Sequence, residues 1–93
     1  MQARYPWLWD TDMDDATFEA VLNGRQQVPP HDGPWALTRL IEYAPYRDIK
    51  RLLPRERFLQ QWPEVARRVR SQTRREGMDF LHQWLLRRES AHG

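Results

Sequence analysis

Three aspartates at alternate positions have the spacing that opens a calcium loop. They are Asp10, Asp12 and Asp14. An EF-hand loop also needs glycine at its sixth position and glutamate at its twelfth. Those positions hold Asp15 and Val21 in this sequence. We therefore expect a helix cap and an acidic surface here, and no calcium site.

The residues that usually bind zinc or carry catalysis are few and scattered. The chain has no cysteine, and His31, His82 and His92 fall in a loop, a predicted helix and the C-terminal tail. No His-x-x-His or His-Glu-x-x-His spacing occurs, and the sequence has neither a glycine-rich phosphate loop nor a nucleophile elbow. We predict no metal, no cofactor and no catalytic residue, so we do not expect an enzyme.

Arginine provides the most distinctive chemistry in the sequence. Five arginines without an acid among them lie within nine residues: Arg67, Arg68, Arg70, Arg74 and Arg75. On one helix, Arg67, Arg70 and Arg74 would share a face that could follow a phosphate backbone. A helix, a turn at Ser71-Gln72 and a second helix also resemble a helix-turn-helix in outline. The alternatives are contact with a protein partner, pairing with acidic residues of this chain, or a solvated surface.

The N-terminal segment Tyr5-Pro6-Trp7-Leu8-Trp9 is rich in aromatic residues. Because proline disfavours helix at the residue before it, we expect residues 1–10 to form an extended arm. The arm either packs over its own core or inserts into a partner. Since tryptophan is enriched at binding hot spots, Trp7 and Trp9 are candidate partner contacts.

Proline and glycine divide the rest of the chain into short helices. We predict a first helix over residues 15–23, ended by a glycine, and an irregular loop over 24–34. A second helix begins at Pro34, and further helices follow Pro45 and Pro54.

The last two predicted helices carry the strongest periodic patterns. The apolar stripe continues at helical spacing through Pro63, where we expect a kink or a one-residue break. Thr73 and Glu76 have the form of a capping box at the start of the last helix. We expect Trp35, Trp62 and Trp84 in the core. The apolar face of the last helix comprises Met78, Leu81, Trp84 and Leu85, with Phe80 beside Trp84.

These patterns predict one all-α domain over residues 1–93. It is a compact bundle of five or six short helices with proline-marked turns, an extended aromatic N-terminal arm and a frayed tail over 90–93. No segment beyond the arm alternates over strand length. No apolar run approaches the ~20 residues of a membrane helix, and no secretory signal is present, so we predict a cytoplasmic protein without membrane contact.

Charge is unevenly distributed between the two parts of the chain. Residues 1–32 carry a net charge of −4 and residues 33–93 a net charge of +6. Opposite charges can attract within one fold, pair copies head to tail, or meet separate partners. We predict a non-enzymatic protein-interaction or regulatory module. A nucleic-acid-binding protein that uses the arginine cluster is the alternative, and a homodimer is a third possibility.

The order of several landmarks is similar to that in a known family. The landmarks are Leu8-Trp9-Asp10-x-Asp12, a short helix ending near Gly24, Trp35, Leu40, Tyr43, the stretch 49–53 and an arginine-rich turn leading to Phe80-Leu81. They resemble small helical bacterial proteins that open with a Leu-Phe/Trp-Trp-Asp-type segment and are often encoded beside nucleotidyltransferase-type toxin genes. The resemblance covers residues 7–85 and departs at 24–34 and at Pro63. It implies an accessory or antitoxin-like protein with no catalytic residue.

Overall fold

The computed structural model describes residues 5–8 and 10–92, with the side chains of 90–92 excepted. Within this part of the chain it contains a short 3-10 helix, five α-helices and no β-strand, which confirms the predicted all-α fold. The elements are the 3-10 helix Pro6–Leu8, α1 (Asp15–Leu22), α2 (Gly33–Tyr43), α3 (Tyr46–Leu52), α4 (Arg55–Val65) and α5 (Gln72–His92). None of the described helices has both the length and the apolar composition needed to span a bilayer.

The central helix of the bundle is α2, which packs against α1, α3 and α4, while α5 packs mainly against α4. Four side chains of α2 are completely buried: Ala36, Leu37, Leu40 and Ile41. The first two α-helices begin at the aspartates that suit a cap: Asp14 accepts from the backbone N–H of Thr17, and Asp32 accepts from that of Trp35.

A glycine ends α1, as the sequence predicts. Gly24 has a φ of +73°, and its N–H donates to the Val21 carbonyl at 3.1 Å. The next N–H, from Arg25, reaches back to the Ala20 carbonyl at 2.8 Å. This bond pair is a Schellman motif, which satisfies carbonyls that the helix end leaves unpaired and favours glycine at the left-handed position. In the loop that follows, residues 28 and 31 bridge across a turn that holds a cis proline peptide bond.

The start of α5 differs from the predicted capping box. The helix begins at Gln72, and Ser71 is the cap: its Oγ accepts from the Arg74 N–H at 3.3 Å. Thr73 therefore lies inside the first turn, and Glu76 accepts from the Gln72 side chain at 3.1 Å instead of bonding back to Thr73. Serine and threonine are both good caps, so the local pattern alone did not choose between them. The helix continues to His92, into the segment predicted to fray.

The proline inside α4 does not break the helix, which runs through Pro63 to Val65. Because proline has no N–H, the carbonyl of Leu59 loses its helical donor. The His82 Nε2 of α5 lies 3.1 Å from that carbonyl. Since a carbonyl oxygen only accepts, this nitrogen must carry the hydrogen. An imidazole from the neighbouring helix thus replaces the missing backbone donor and joins α5 to α4.

The described part of the N-terminal arm is folded onto the domain. Pro6–Leu8 form a 3-10 helix, so the extended conformation predicted for this segment is wrong. Trp7 is 5% exposed, stacks on Tyr5 with ring centroids 4.8 Å apart and meets the ring of Phe18 edge-on at 4.9 Å. Its Nε1 donates to the carboxylate of Asp48 at 3.3 Å, which satisfies the one polar atom of the side chain.

Candidate interaction surface

The arginine cluster does not lie on one helix. The chain leaves α4 after Val65 and enters α5 at Gln72, so the predicted common helical face of Arg67, Arg70 and Arg74 is not formed. The turn of the proposed helix-turn-helix outline occupies residues 66–71 rather than Ser71-Gln72 alone. Residues three and four apart share a face only along an uninterrupted helix, and the turn interrupts the helix between these arginines.

Two of the five arginines serve the fold. The Nη1 of Arg74 donates to the carbonyls of Ile41 at 2.9 Å and Ala44 at 2.7 Å, at the C-terminal end of α2. A cation at this end also suits the helix dipole. The Nη1 of Arg75 donates to the carbonyl of Val69 at 3.4 Å. These two guanidinium groups therefore hold the turn and α5 in place.

The other three arginines remain at the surface. Arg67, Arg68 and Arg70 are exposed, and Arg68 pairs with Glu64 at 3.0 Å across one helical turn. The Arg70 backbone N–H donates to the Glu42 carboxylate. The exposed basic surface at this turn is thus smaller than the sequence pattern indicates.

The tryptophans differ in their depth of burial. Trp62 is 2% exposed and donates from Nε1 to Asp79 at 2.7 Å, and Trp35 is half-buried beside the ring of His31. Trp84 is 43% exposed, so its predicted place in the core is wrong. Trp7 belongs to the core of its own chain, which agrees with the packing alternative for the arm and not with a partner contact.

Trp9, the second candidate partner contact of the arm, lies outside the described residues.

Three of the five large exposed apolar side chains of the described residues lie on one side of the molecule. Tyr46 at the start of α3 is 72% exposed, Phe80 on α5 is 67% exposed, and Trp84 follows one turn later on the same helix. Scattered exposed apolar residues are ordinary, whereas a contiguous group marks an interaction surface. The sequence pattern predicts Phe80 beside Trp84, and the structure shows both side chains exposed.

A groove lies between α3 and α5 beside these side chains. Its cavity volume is about 440 Å³. The α3–α5 groove is lined by Ile41, Tyr46, Ile49, Thr73, Arg74, Gly77, Met78, Phe80 and Leu81. Ile41, Ile49 and Met78 are buried core residues, so the inner side of the groove is part of the hydrophobic core. Tyr46 and Phe80 are its two exposed walls.

Gly77 is an unusual residue for the interior of a long helix. Glycine there is less favourable than alanine by about 1 kcal/mol. A Cβ built on Gly77 would meet no atom within 4 Å, so packing within this chain does not require glycine. We call Thr73, Gly77, Phe80 and Trp84 the α5 outer face, because helical spacing aligns them along one side of the helix.

Three cations lie near the α5 outer face and the groove, together with the exposed carboxylate of Glu76 one turn before Phe80. Lys50 lies one turn after Tyr46 on α3, and Arg87 lies two turns after Phe80 on α5. The Arg88 guanidinium lies 5.1 Å from the centre of the Trp84 ring. Among the described side chains, these three cations have no carboxylate within ion-pair distance.

The acidic residues of the same two helices are engaged elsewhere. Asp48 pairs with Arg51 at 3.4 Å in addition to its bond with Trp7, and Glu89 pairs with Arg55 at 3.8 Å. Asp79 bonds to Trp62, and Glu76 to Gln72. Asp79 and Glu76 keep their negative charge in these bonds, because the indole and amide donors are neutral. The two helices carry seven basic and four acidic side chains, so their charge balance is positive.

The aspartates of the acidic segment form no metal site in the described part of the chain, where no group of three potential ligands is placed to hold an ion. Asp10 instead makes a two-point contact with Arg39, at 2.7 and 3.0 Å. The hydrogen bond from Arg39 lowers the pKa of Asp10 below its ordinary value. Arg39 also lies over the rings of Trp35 and Tyr43, at 5.4 and 4.8 Å from their centres.

Comparison of the chain with protein-family models, with curated proteins and with solved structures gives no significant match. The candidate surface therefore rests on the geometry described above. The family resemblance seen in the sequence, and the antitoxin-like role it implies, stay predictions.

Proposed function

We propose that this protein is a small non-enzymatic protein-interaction module, and that its contact surface is the α3–α5 groove together with the α5 outer face. The observation that carries the proposal is the exposure of Tyr46, Phe80 and Trp84 on one surface, at 72%, 67% and 43%. Aromatic side chains of this kind dominate the energetics of protein interfaces.

The groove suits recognition because rigid elements hold its walls. Three side chains of α5, those of Arg74, Asp79 and His82, form hydrogen bonds with α2 and α4. Tyr46 and Phe80 project from helices, so a partner would order few flexible segments on binding. A regulatory or antitoxin-like role would act through a protein bound at this surface.

Nucleic-acid binding is less well supported by the same geometry. Arg74 and Arg75 donate to backbone carbonyls of this chain, so three exposed arginines remain of the five that carried the alternative. Each phosphate contact adds to the affinity and to its dependence on salt concentration. With fewer available arginines, the affinity for nucleic acid should be lower and should change less with salt.

The test is affinity capture from the host lysate with the tagged full chain, with and without nuclease, at low and moderate salt. The variant is Phe80→Ser combined with Trp84→Ser, and the matched control is Leu86→Ser. Leu86 is also exposed, at 45%, but lies about 200° around α5 from Trp84.

We expect a partner protein that survives nuclease treatment, is retained by the control and is lost with the double variant. Circular dichroism should show the same helix content for all three chains. Capture of nucleic acid that disappears with nuclease or salt would contradict the proposal, as would a partner that the double variant still binds.

A further inference from the structure

We infer that the α3–α5 groove binds an amphipathic helix of another protein, one whose apolar stripe is flanked by acidic side chains. The inference rests on the proposed function and adds the chemistry of the partner. Three features carry it. They are the shape of the groove, the distribution of acidic and apolar surface on this chain, and the unpaired cations at the rim of the groove, which are Lys50, Arg87 and Arg88.

The shape favours a helix lying in the groove. Apolar anchors at helical spacing commonly fill a hydrophobic groove bounded by two helices. The inner side is formed by Ile49 and Met78, which are 5% and 6% exposed, and the walls are Tyr46 and Phe80. Gly77 leaves the middle of the α5 outer face without a side chain, so a second backbone can approach closely there.

The charge at the rim selects an acidic partner. Lys50 lies on the α3 side, and Arg87 and Arg88 lie beyond Phe80 on the α5 side. These cations lack carboxylate partners among the described side chains, and α3 and α5 together carry seven basic and four acidic side chains, so the charge balance of the two helices is positive. Acidic side chains beside the apolar anchors of a partner would complete the pairing and oppose binding of basic helices.

A second copy of this chain does not fit these requirements. A two-fold pair brings the same surface of each copy together, so the rim cations of one copy would face those of the other. The acidic residues between 10 and 19 could neutralise the rim, but the large apolar side chains among them are buried: Met13 is 6% exposed and Phe18 is fully buried. Among the described residues, this acidic segment of a second copy therefore offers no large apolar anchor beside its carboxylates.

The first experiment identifies the segment that contacts the groove. The full chain carries a benzophenone amino acid in place of Phe80 and is cross-linked in the host cell, and the linked peptide is sequenced by mass spectrometry. The matched control places the same group at Gln60, which is exposed on α4. We expect cross-links at position 80 to a different protein, in a segment with apolar residues at helical spacing and Asp or Glu beside them.

Each other result has a definite meaning. A linked segment that is basic, or that lacks helical periodicity, overturns the inference and leaves the proposed function intact. Cross-links to a second copy of this chain also overturn the inference and leave the proposed function intact. If position 80 yields no more cross-linked protein than position 60, both the inference and the proposed function fail.

The second experiment tests the charge requirement with the identified partner segment as a synthetic peptide. Lys50→Glu combined with Arg88→Glu should weaken its binding by about tenfold or more at low salt. Arg25→Glu combined with Arg67→Glu makes the same change in net charge at exposed positions outside the groove, and should change affinity less than about twofold. Equal losses for the two double variants would show a non-specific charge effect and overturn the inference.

Discussion

The N-terminal aromatic cluster (Tyr5, Trp7, Phe18 and Trp35) and the α5 outer face contain the same kinds of residue in opposite environments. In the cluster, Trp7 lies between two other rings, and both Tyr5 and Trp7 have hydrogen-bonded polar ends: the Tyr5 hydroxyl lies 3.0 Å from Glu19. On the α5 outer face, the ring contact recorded for Trp84 is with the guanidinium of Arg88, on its own helix.

The difference follows from how many sides of an element are covered. Trp7 has α1 on one side and α3 on another, because its ring meets Phe18 and its Nε1 meets Asp48. The helix α5 lies at the edge of the bundle and buries one side through Met78 and Leu85. A residue that lies about 100° or more around the helix axis from this buried side remains exposed, whatever its type. Burial is thus a property of position, and aromatic surface left at an edge is available for binding.

The largest predicted effect compares the two tryptophans directly. Trp7→Ala should reduce the free energy of unfolding by about 3–5 kcal/mol, because it removes a buried ring and leaves a cavity. Trp84→Ala should cost less than about 1 kcal/mol, since much of the ring already contacts water. Urea unfolding followed by circular dichroism measures both values. Equal losses would mean that Trp84 is a core residue and would remove the main support for the interaction surface.

Local signals in the sequence predicted much of the fold. They include a helix cap in the acidic segment, which the structure places at Asp14, the helix end at Gly24 and the helix that starts around Pro34. Each is determined by residues within one turn. The all-α class follows from the same signals. Sequence spacing could also show that α5 is amphipathic, with Met78 and Leu85 on one side.

The candidate site was less predictable because it depends on contacts between distant parts of the chain. Helical spacing places Trp84 near Leu85 but does not reveal whether another helix covers it. Arg74 was assigned to a basic patch, yet its guanidinium donates to Ile41 and Ala44, about 30 residues earlier. The sequence places His82 on a predicted helix, but its bond to the Leu59 carbonyl requires knowing that α4 and α5 are neighbours.

The second prediction concerns the bond that anchors α5 beside the exposed surface. His82→Phe keeps a ring near Phe58, which it meets edge-on at 5.5 Å, but removes the donor to Leu59. An unpaired carbonyl there should lower the free energy of unfolding by about 1–3 kcal/mol. In a Pro63→Ala background, the new backbone N–H at position 63 can serve that carbonyl, so the same substitution should cost less.

A double-mutant cycle by urea unfolding measures this coupling. A cost for His82→Phe that is identical in the two backgrounds would mean that the imidazole does not replace the missing proline donor. The anchoring of α5 would then depend on its apolar side, on Arg74 and on the bond between Asp79 and Trp62.

The third prediction contrasts Gly77 of the α5 outer face with Gly24, which ends the helix that carries Phe18 of the N-terminal aromatic cluster. Gly77→Ala should raise the free energy of unfolding by about 0.5–1 kcal/mol, because the added methyl group enters open space and alanine favours the helix. Gly24→Ala should lower it, since the residue has a φ of +73° and the Arg57 guanidinium occupies the position of the added Cβ. Thermal unfolding distinguishes the two signs.

If Gly77 is kept for close approach of a partner backbone, the stabilised Gly77→Ala chain should also bind the captured partner more weakly. Affinity measured on the purified pair checks this. A stabilised chain with unchanged affinity would show that the middle of the α5 outer face is not part of the contact.

The smallest predicted effect tests how the acidic segment is held beside the N-terminal aromatic cluster. The Asp10 and Arg39 side chains are 36% and 12% exposed, so Asp10→Asn should lower the free energy of unfolding by only about 0.5 kcal/mol at pH 7. The hydrogen bond from Arg39 holds the pKa of Asp10 below its ordinary value of 3.8, so the unfolded chain takes up this proton first as the pH falls. The stabilisation is therefore fully present well above pH 3.8 and is lost as the pH falls through the pKa of Asp10 in the folded chain.

Urea unfolding of the unmodified chain and of Asp10→Asn between pH 7 and about pH 2.5 should give free energies of unfolding that converge at the acid end. A gap that persists at the lowest pH would assign the loss to packing around Arg39 and its neighbours Trp35 and Tyr43, and not to the charge of Asp10.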